Sequence, residues 1–234
     1  MKFRGLSPTT ALARWGLVAI GLGIVLGATL PSAVGLIVQA ASTQAGTVPW
    51  ITSRLLGFLA YFALAGSVVY GLLLSTKLLD TFAHRPISFT LHRDLASVGL
   101  GLAGIHGVLL GLDRTVPTSL VQLAVPFATD YRPVWVGLGQ IAFWIAVVVV
   151  ASFYLRRRIG QRAWRLLHYA TFLAFVGATA HGLGAGTDST GPARWIYLVA
   201  TDVVVFLLVY RIVASVAGRA RRRAGDLPTR SPLA

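Results

Sequence analysis

Six apolar stretches of about twenty residues follow one another along this chain. At 1.5 Å of rise per residue each is long enough, as a helix, to cross the hydrocarbon core of a bilayer. They cover residues 15–39, 55–76, 95–112, 133–155, 166–187 and 195–217, and the third, being short, is expected to begin a turn earlier, at His92. Only 12% of the residues are charged, against about 25% in a soluble domain of this size. Inside lipid every backbone amide must find its partner within the protein, which continuous apolar runs achieve as helices. The expected fold class is therefore all-α: a six-helix transmembrane bundle forming a single domain over residues 1–234, with short connections and a basic tail at 218–234.

The basic residues give the direction of threading. Seventeen of the 21 Lys and Arg fall before the first segment, between the second and third, between the fourth and fifth, or from Arg211 onward. The other four (Arg54, Arg114, Arg132 and Arg194) lie on the opposite side. Positive charge is retained on the cytoplasmic side, so both termini are expected there. The net charge of +14 belongs to this pattern, and nucleic acid is not an expected partner. The first segment exceeds the 7–15 apolar residues of a signal peptide, so it is expected to stay as a helix. Cysteine and glutamate are absent and there is one methionine, so the available metal ligands are five histidines and seven aspartates.

Four of those histidines form an internal repeat. The third segment reads LHRDLASVGLGLAGIHGVLLGLD from Leu91, and the fifth reads LHYATFLAFVGATAHGLGAGTD from Leu167. Each opens on Leu-His and later carries His-Gly, a glycine five residues beyond that histidine and an aspartate seven beyond it. His92 and His106 are 14 residues apart, and His168 and His181 are 13 apart. The third and fifth segments cross in the same direction, so equivalent histidines lie at matching depths, with the two levels about 20 Å apart along the helix. Two facing imidazoles at each level form a cage of the kind that ligates a b-type haem. An interval of 14 returns within roughly 40° of the same face, but 13 falls short by about 140°, so the fifth helix must be irregular, with Gly177 as the expected place. The glycines of the third segment, from Gly99 to Gly111, are open to two readings: close helix packing, or a bare surface for a flat macrocycle. His84 has no counterpart and reads as a loop residue.

These residues resemble the ferric-reductase-like transmembrane domain family. It comprises the membrane parts of NADPH oxidases and ferric reductases and the haem subunit that partners the periplasmic methionine sulfoxide reductase. The resemblance extends to the stretch RRRIGQRAWRLLH at 156–168 and covers most of the chain from about Arg54 onward. It implies two stacked b haems between the third and fifth helices, His92 and His168 holding the inner iron and His106 and His181 the outer. The stand-alone haem subunits are the nearest resemblance, since no flavin- or nicotinamide-binding domain is expected to follow the sixth segment. The string GLGLAG at 99–104 matches a dinucleotide-binding pattern only as letters, since no strand precedes it. By this resemblance the chain is an oxidoreductase component of a bacterial plasma membrane, without a flavin or NAD(P) site. Its expected donor is a separate cytoplasmic flavin reductase or a membrane quinol, and its expected acceptor an extracytoplasmic redox protein or small molecule.

Several further residues carry expectations. Arg93 and Arg165 adjoin the inner level as candidate propionate contacts, and Arg114, Arg132 and Arg194 are the basic candidates at the outer one. The run from Arg156 to Arg165 suits topology and anionic lipid, or docking of a donor protein. Asp113 and Asp188 sit at helix C-termini, where a cation is expected to offset them. Asp202 is expected to hydrogen-bond a neighbouring helix, with proton relay as its alternative. The loop at 113–132 is long enough to cover the outer level. The competing function class is a transporter using histidine and aspartate for a metal or protons; a single midplane ligand cluster would mark it, whereas here the histidines form two levels.

Overall fold

The computed structural model describes residues 48–76, 85–112, 118–186, 191 and 193–225. The expected first span, at 15–39, lies outside them, as do His84, Asp113, Arg114 and Asp188. Within the described residues the chain is all helical. In order it forms α1 (Val48–Thr76), α2 (Arg85–Gly111), the short α3 (Leu120–Ala124), α4 (Pro133–Ile159), α5 (Gln161–His168), α6 (Ala170–Ala185) and α7 (Ala193–Gly225). Five helical stretches are long and apolar enough to cross a membrane: most of α1, of α2 and of α7, all of α4, and α5 with α6 together. Large apolar side chains point away from the protein, Leu173 being 66% and Val176 63% exposed on α6 alone. Such a surface belongs in lipid, so the chain is a multi-pass membrane protein.

Several segment boundaries differ from expectation, the second segment beginning at Val48 instead of 55 and the last running to Gly225 instead of 217. The third helix starts at Arg85 rather than near His92. Pro86, in its first turn, lacks an N–H that would go unsatisfied there in any case. The fifth segment is two helices, α5 and α6, joined at Tyr169. Between α4 and α5 the chain turns through Gly160, whose φ of +84° lies in the region that only glycine adopts without strain. That turn aims α5 back toward the bundle.

Packing sets α1 against α2 and α4 against α6, with α7 covering α1 and α6. The core draws on α1, α6 and α7: Tyr61, Ala65, Leu72, Phe175, Tyr197, Val204 and Leu207 are buried together. Tyr61 shares a hydrogen bond of 3.1 Å with Thr179 and meets the Tyr197 ring edge-on at 4.7 Å, tying the three helices at mid-height. α2, which carries His92 and His106, is not closely packed on α5 or α6, which carry His168 and His181. A cavity lies between them.

Candidate functional site

The structure brings the four histidines together in two pairs. The ring centroids of His92 and His168 are 6.0 Å apart, and those of His106 and His181 are 6.1 Å apart. Within each pair the rings are close to perpendicular, at 76° and 74°. An imidazole nitrogen bonds a metal at about 2.0–2.1 Å, so two rings on opposite sides of one ion have centroids about 6 Å apart. Each pair joins one histidine of α2 to one of the α5–α6 segment, at matching ends of the two helices.

Three of the four rings are oriented in the same way. His106 Nδ1 donates to the backbone carbonyl of Ser53 at 2.7 Å, and His92 Nδ1 donates to that of Ser67 at 2.8 Å. His181 Nδ1 donates to the carbonyl of Trp135 at 3.0 Å. A carbonyl can only accept, so each of these rings carries its proton on Nδ1 and keeps the lone pair on Nε2, the tautomer a metal ligand needs. In a helix the carbonyl of residue i points toward residue i+4, whose side chain normally shields it. Here residue i+4 is a glycine in all three cases: Gly57, Gly71 and Gly139. An added Cβ would lie 2.9 Å from His106 Nδ1 at Gly57, 3.1 Å from His92 Cε1 at Gly71, and 2.6 Å from His181 Cγ and Nδ1 at Gly139. Each missing side chain admits an imidazole to a bared carbonyl.

The two serines complete the fastening, since each hydroxyl donates to the backbone carbonyl of the histidine that it faces, at 2.8 Å from Ser53 and 2.9 Å from Ser67. Ser53 and Gly57 recur as Ser67 and Gly71 after 14 residues, the same interval that separates His92 from His106. Two heptads return to one face when helices wrap in a left-handed supercoil, so antiparallel α1 and α2 keep both contacts in register. This second repeat, SRLLG and SVVYG, was available to sequence reasoning and was missed.

His168 is held differently. Its ring nitrogens make no hydrogen bond among the described residues, and α4 has no glycine beyond Gly139 to offer it a carbonyl. Instead the indole of Trp164 stacks on it, with centroids 5.1 Å apart and planes at 27°. The irregularity demanded by the 13-residue interval falls at Tyr169, directly after His168, and not at Gly177. The Tyr169 N–H bonds both Arg165 O and Leu166 O, and the Phe172 N–H bonds Tyr169 O. The bonds to Leu166 O and Tyr169 O span three residues, which winds the chain more tightly than an α-helix and lets α6 leave on a new course. Gly177 lies inside continuous α6, where a Cβ would be 3.1 Å from Ala142 Cβ and Leu138 O, so its role is the close crossing of α4.

The cavity between α2 and α6 is about 1130 Å³ and reaches both histidine levels. Ordinary ligand sites occupy about 300–1,000 Å³, so this volume suits a large ligand or two ligands in tandem. The α2 glycines divide between the two readings open to them. A Cβ at Gly99 would meet Leu64 and Ala63, which is helix packing, whereas Gly101 and Gly107 line the cavity with nothing within 4 Å. Arg54, Arg93, Arg165 and Arg211 line it and no acidic residue among the described residues does, so its chemistry favours an anionic group. Arg93 is also paired with Asp94 at 3.0 Å. Neither Arg132 nor Arg194 lines the cavity: Arg132 donates to Gly184 O at 2.6 Å, and Arg194 lies over the Trp195 ring. Arg54, adjacent to Ser53, is the basic residue at that level which the sequence reading overlooked. Asp202 is exposed on α7, away from the cavity, and the expected bond to a neighbouring helix is not formed among the described residues.

The loop after α2 closes the His106–His181 end. A capping box between Ser119 and Gln122 starts α3. Gln140 Nε2 grips the carbonyls of Gln122 and Leu123 at 2.6 and 2.9 Å, and Trp144 Nε1 grips that of Ala124 at 2.9 Å. Thr118, Gln122, Thr129 and Tyr131 thereby line the cavity at this end. Comparison with known proteins returned no matching family model, no matching curated protein and no matching solved structure.

Proposed function

We propose that this chain is a transmembrane electron-transfer subunit that holds two b-type haems, one at each histidine level. The observation that carries the reading is the pairing of imidazoles about 6 Å apart, with Nδ1 of three of them engaged by a carbonyl so that Nε2 is left to bind. His92 and His168 would hold the inner iron, and His106 and His181 the outer. Bound haem supplies one-electron chemistry at each level, about 20 Å apart along α2 by helical rise. Arg93, Arg165 and Arg211 are the cations for the inner haem's carboxylates, and Arg54 for the outer's. Gly101 and Gly107 leave room for a flat ring beside α2.

The donor set fits such a group better than a bare ion. Protein-only metal sites need three or four converging ligands, and no cluster of three or more His, Cys, Asp or Glu occurs among the described residues. A haem would bring most of its iron's ligands with it and would need only a histidine pair from the protein at each level. The division of the histidines into two pairs supports this reading over a transporter that uses histidine and aspartate for a metal or protons, for which a single midplane cluster is expected. The reading groups the chain with the ferric-reductase-like transmembrane domain and assigns the arginine-rich side to the cytoplasm. Electrons would pass from a cytoplasmic flavin reductase or membrane quinol to an extracytoplasmic acceptor, near the loop that covers the outer level.

The test is the haem content and the oxidised and reduced absorption spectra of the purified chain. Two low-spin b haems per chain are expected. No haem in a normally inserted protein overturns the proposal, and a single haem overturns its two-level form.

A further inference from the structure

The two histidine levels are not equivalent, and the difference centres on one residue. At the His106–His181 level both imidazoles are fixed by a carbonyl of an adjacent helix, from Ser53 and Trp135. At the other level only His92 is, and His168 lies against Trp164, four residues before it on α5. The indole Nε1 of Trp164 is sealed from solvent and has no hydrogen-bond partner, while the residue itself lines the cavity. A buried donor left unsatisfied costs about 1–3 kcal/mol, so this one calls for an acceptor from whatever occupies the space beside it. Basic side chains of Arg165 and Arg211 line the same cavity, and among the described residues no carboxylate lines it to serve as that acceptor.

We infer that Trp164 is the positioning residue of the His92–His168 site: its indole face sets the plane of His168 in place of a carbonyl, and its Nε1–H donates to an anionic oxygen of the bound group. This rests on the haem reading, in which the acceptor is a carboxylate on the macrocycle's edge. A consequence follows for His168. Without a carbonyl on Nδ1 it gains none of the added basicity that such a partner confers, so it is the weakest ligand of the four. The two haems then differ in spectrum and in midpoint potential although both are held by histidine pairs.

Wild type, Trp164→Phe and Trp164→Leu, each purified with its haem, test this by haem content, low-spin electron paramagnetic resonance and optical redox titration. Phenylalanine keeps a ring against His168 but removes the donor. It is expected to retain both haems, leave both resonance signals in place and lower the midpoint potential of one haem, because the carboxylate's charge is less offset and favours the ferric state. Leucine removes both functions and is expected to shift one low-spin signal and weaken retention of that haem about ten-fold, the lower end for loss of a residue supporting a metal ligand. A wild-type chain without haem overturns the underlying reading and this inference with it. A wild-type chain with two haems, combined with a Trp164→Phe protein whose potentials are unchanged, overturns the donor role alone. If Trp164→Leu also leaves both signals and both haems intact, the positioning role falls too.

Discussion

Replacing Gly139 with alanine should damage the His106–His181 site although the substitution is ordinarily benign. Alanine for glycine inside a helix is favourable by about 0.5–1 kcal/mol. At 139 the new Cβ would lie 2.6 Å from Cγ and Nδ1 of His181, about 1 Å inside the usual contact distance of about 3.5–4.0 Å. The ring cannot yield without stretching its 3.0 Å bond to the Trp135 carbonyl. Overpacking of this kind costs about 1–3 kcal/mol, and a strained hydrogen bond adds up to about 1. Set against the helical gain, the net is about 2 kcal/mol, a loss of about thirty-fold in binding of the group that His181 holds. Gly57→Ala and Gly71→Ala make shallower contacts, at 2.9 and 3.1 Å, so their losses should be smaller in that order. Gly218, with nothing within 4 Å, is the control and should tolerate alanine. The assay is haem retained per chain after a fixed wash, with thermal stability measured in parallel. Equal retention in Gly139→Ala and Gly218→Ala would refute the cradle argument.

Three further outcomes are expected. Tyr61→Phe removes the hydroxyl that meets Thr179 at 3.1 Å and should cost about 0.6–1 kcal/mol in reversible unfolding from detergent, with no loss of haem. Unchanged stability would remove this contact from the account of how α1 holds α6. A reporter fused after Ala234 should report the cytoplasmic side, because 17 of the 21 Lys and Arg fall on one side of the spans. A periplasmic signal would exchange the inner and outer sites. Ser67→Ala should keep haem binding within a few-fold, since the 2.8 Å bond from His92 Nδ1 to the Ser67 backbone carbonyl survives loss of the hydroxyl, which lies 3.0 Å from the same nitrogen. Complete loss of the haem would assign the orienting role to the side chain.

The histidine levels were legible in the sequence because both helices repeat at nearly the same interval, and depth along a helix follows from counting residues. The described spans were legible for the same reason, since lipid permits little but long apolar helices. What holds the histidines was harder to read. A backbone carbonyl carries no side-chain signature, and a glycine that bares one looks like any glycine that lets two helices approach. Only the recurrence of Ser53 and Gly57 as Ser67 and Gly71 offered a clue, and Trp135 with Gly139 offered none. The 13-residue interval announced an irregularity without its position: Gly177 attracted attention as a weak point, yet the i→i+3 bonds form at Tyr169. Arg54 was counted for topology, and its place beside the cavity depends on how α1 packs, which the sequence pattern does not specify.

The central claim is that four imidazoles act as two pairs set by depth, each pair spanning two helices. Changing each of His92, His106, His168 and His181 to alanine, one at a time, tests it through the haem content and the low-spin spectrum of the haem that remains. The account predicts one haem lost in each variant. His92→Ala and His168→Ala should leave the same residual spectrum, and His106→Ala and His181→Ala should leave the other. Residual spectra that group by helix, 92 with 106 and 168 with 181, would contradict it.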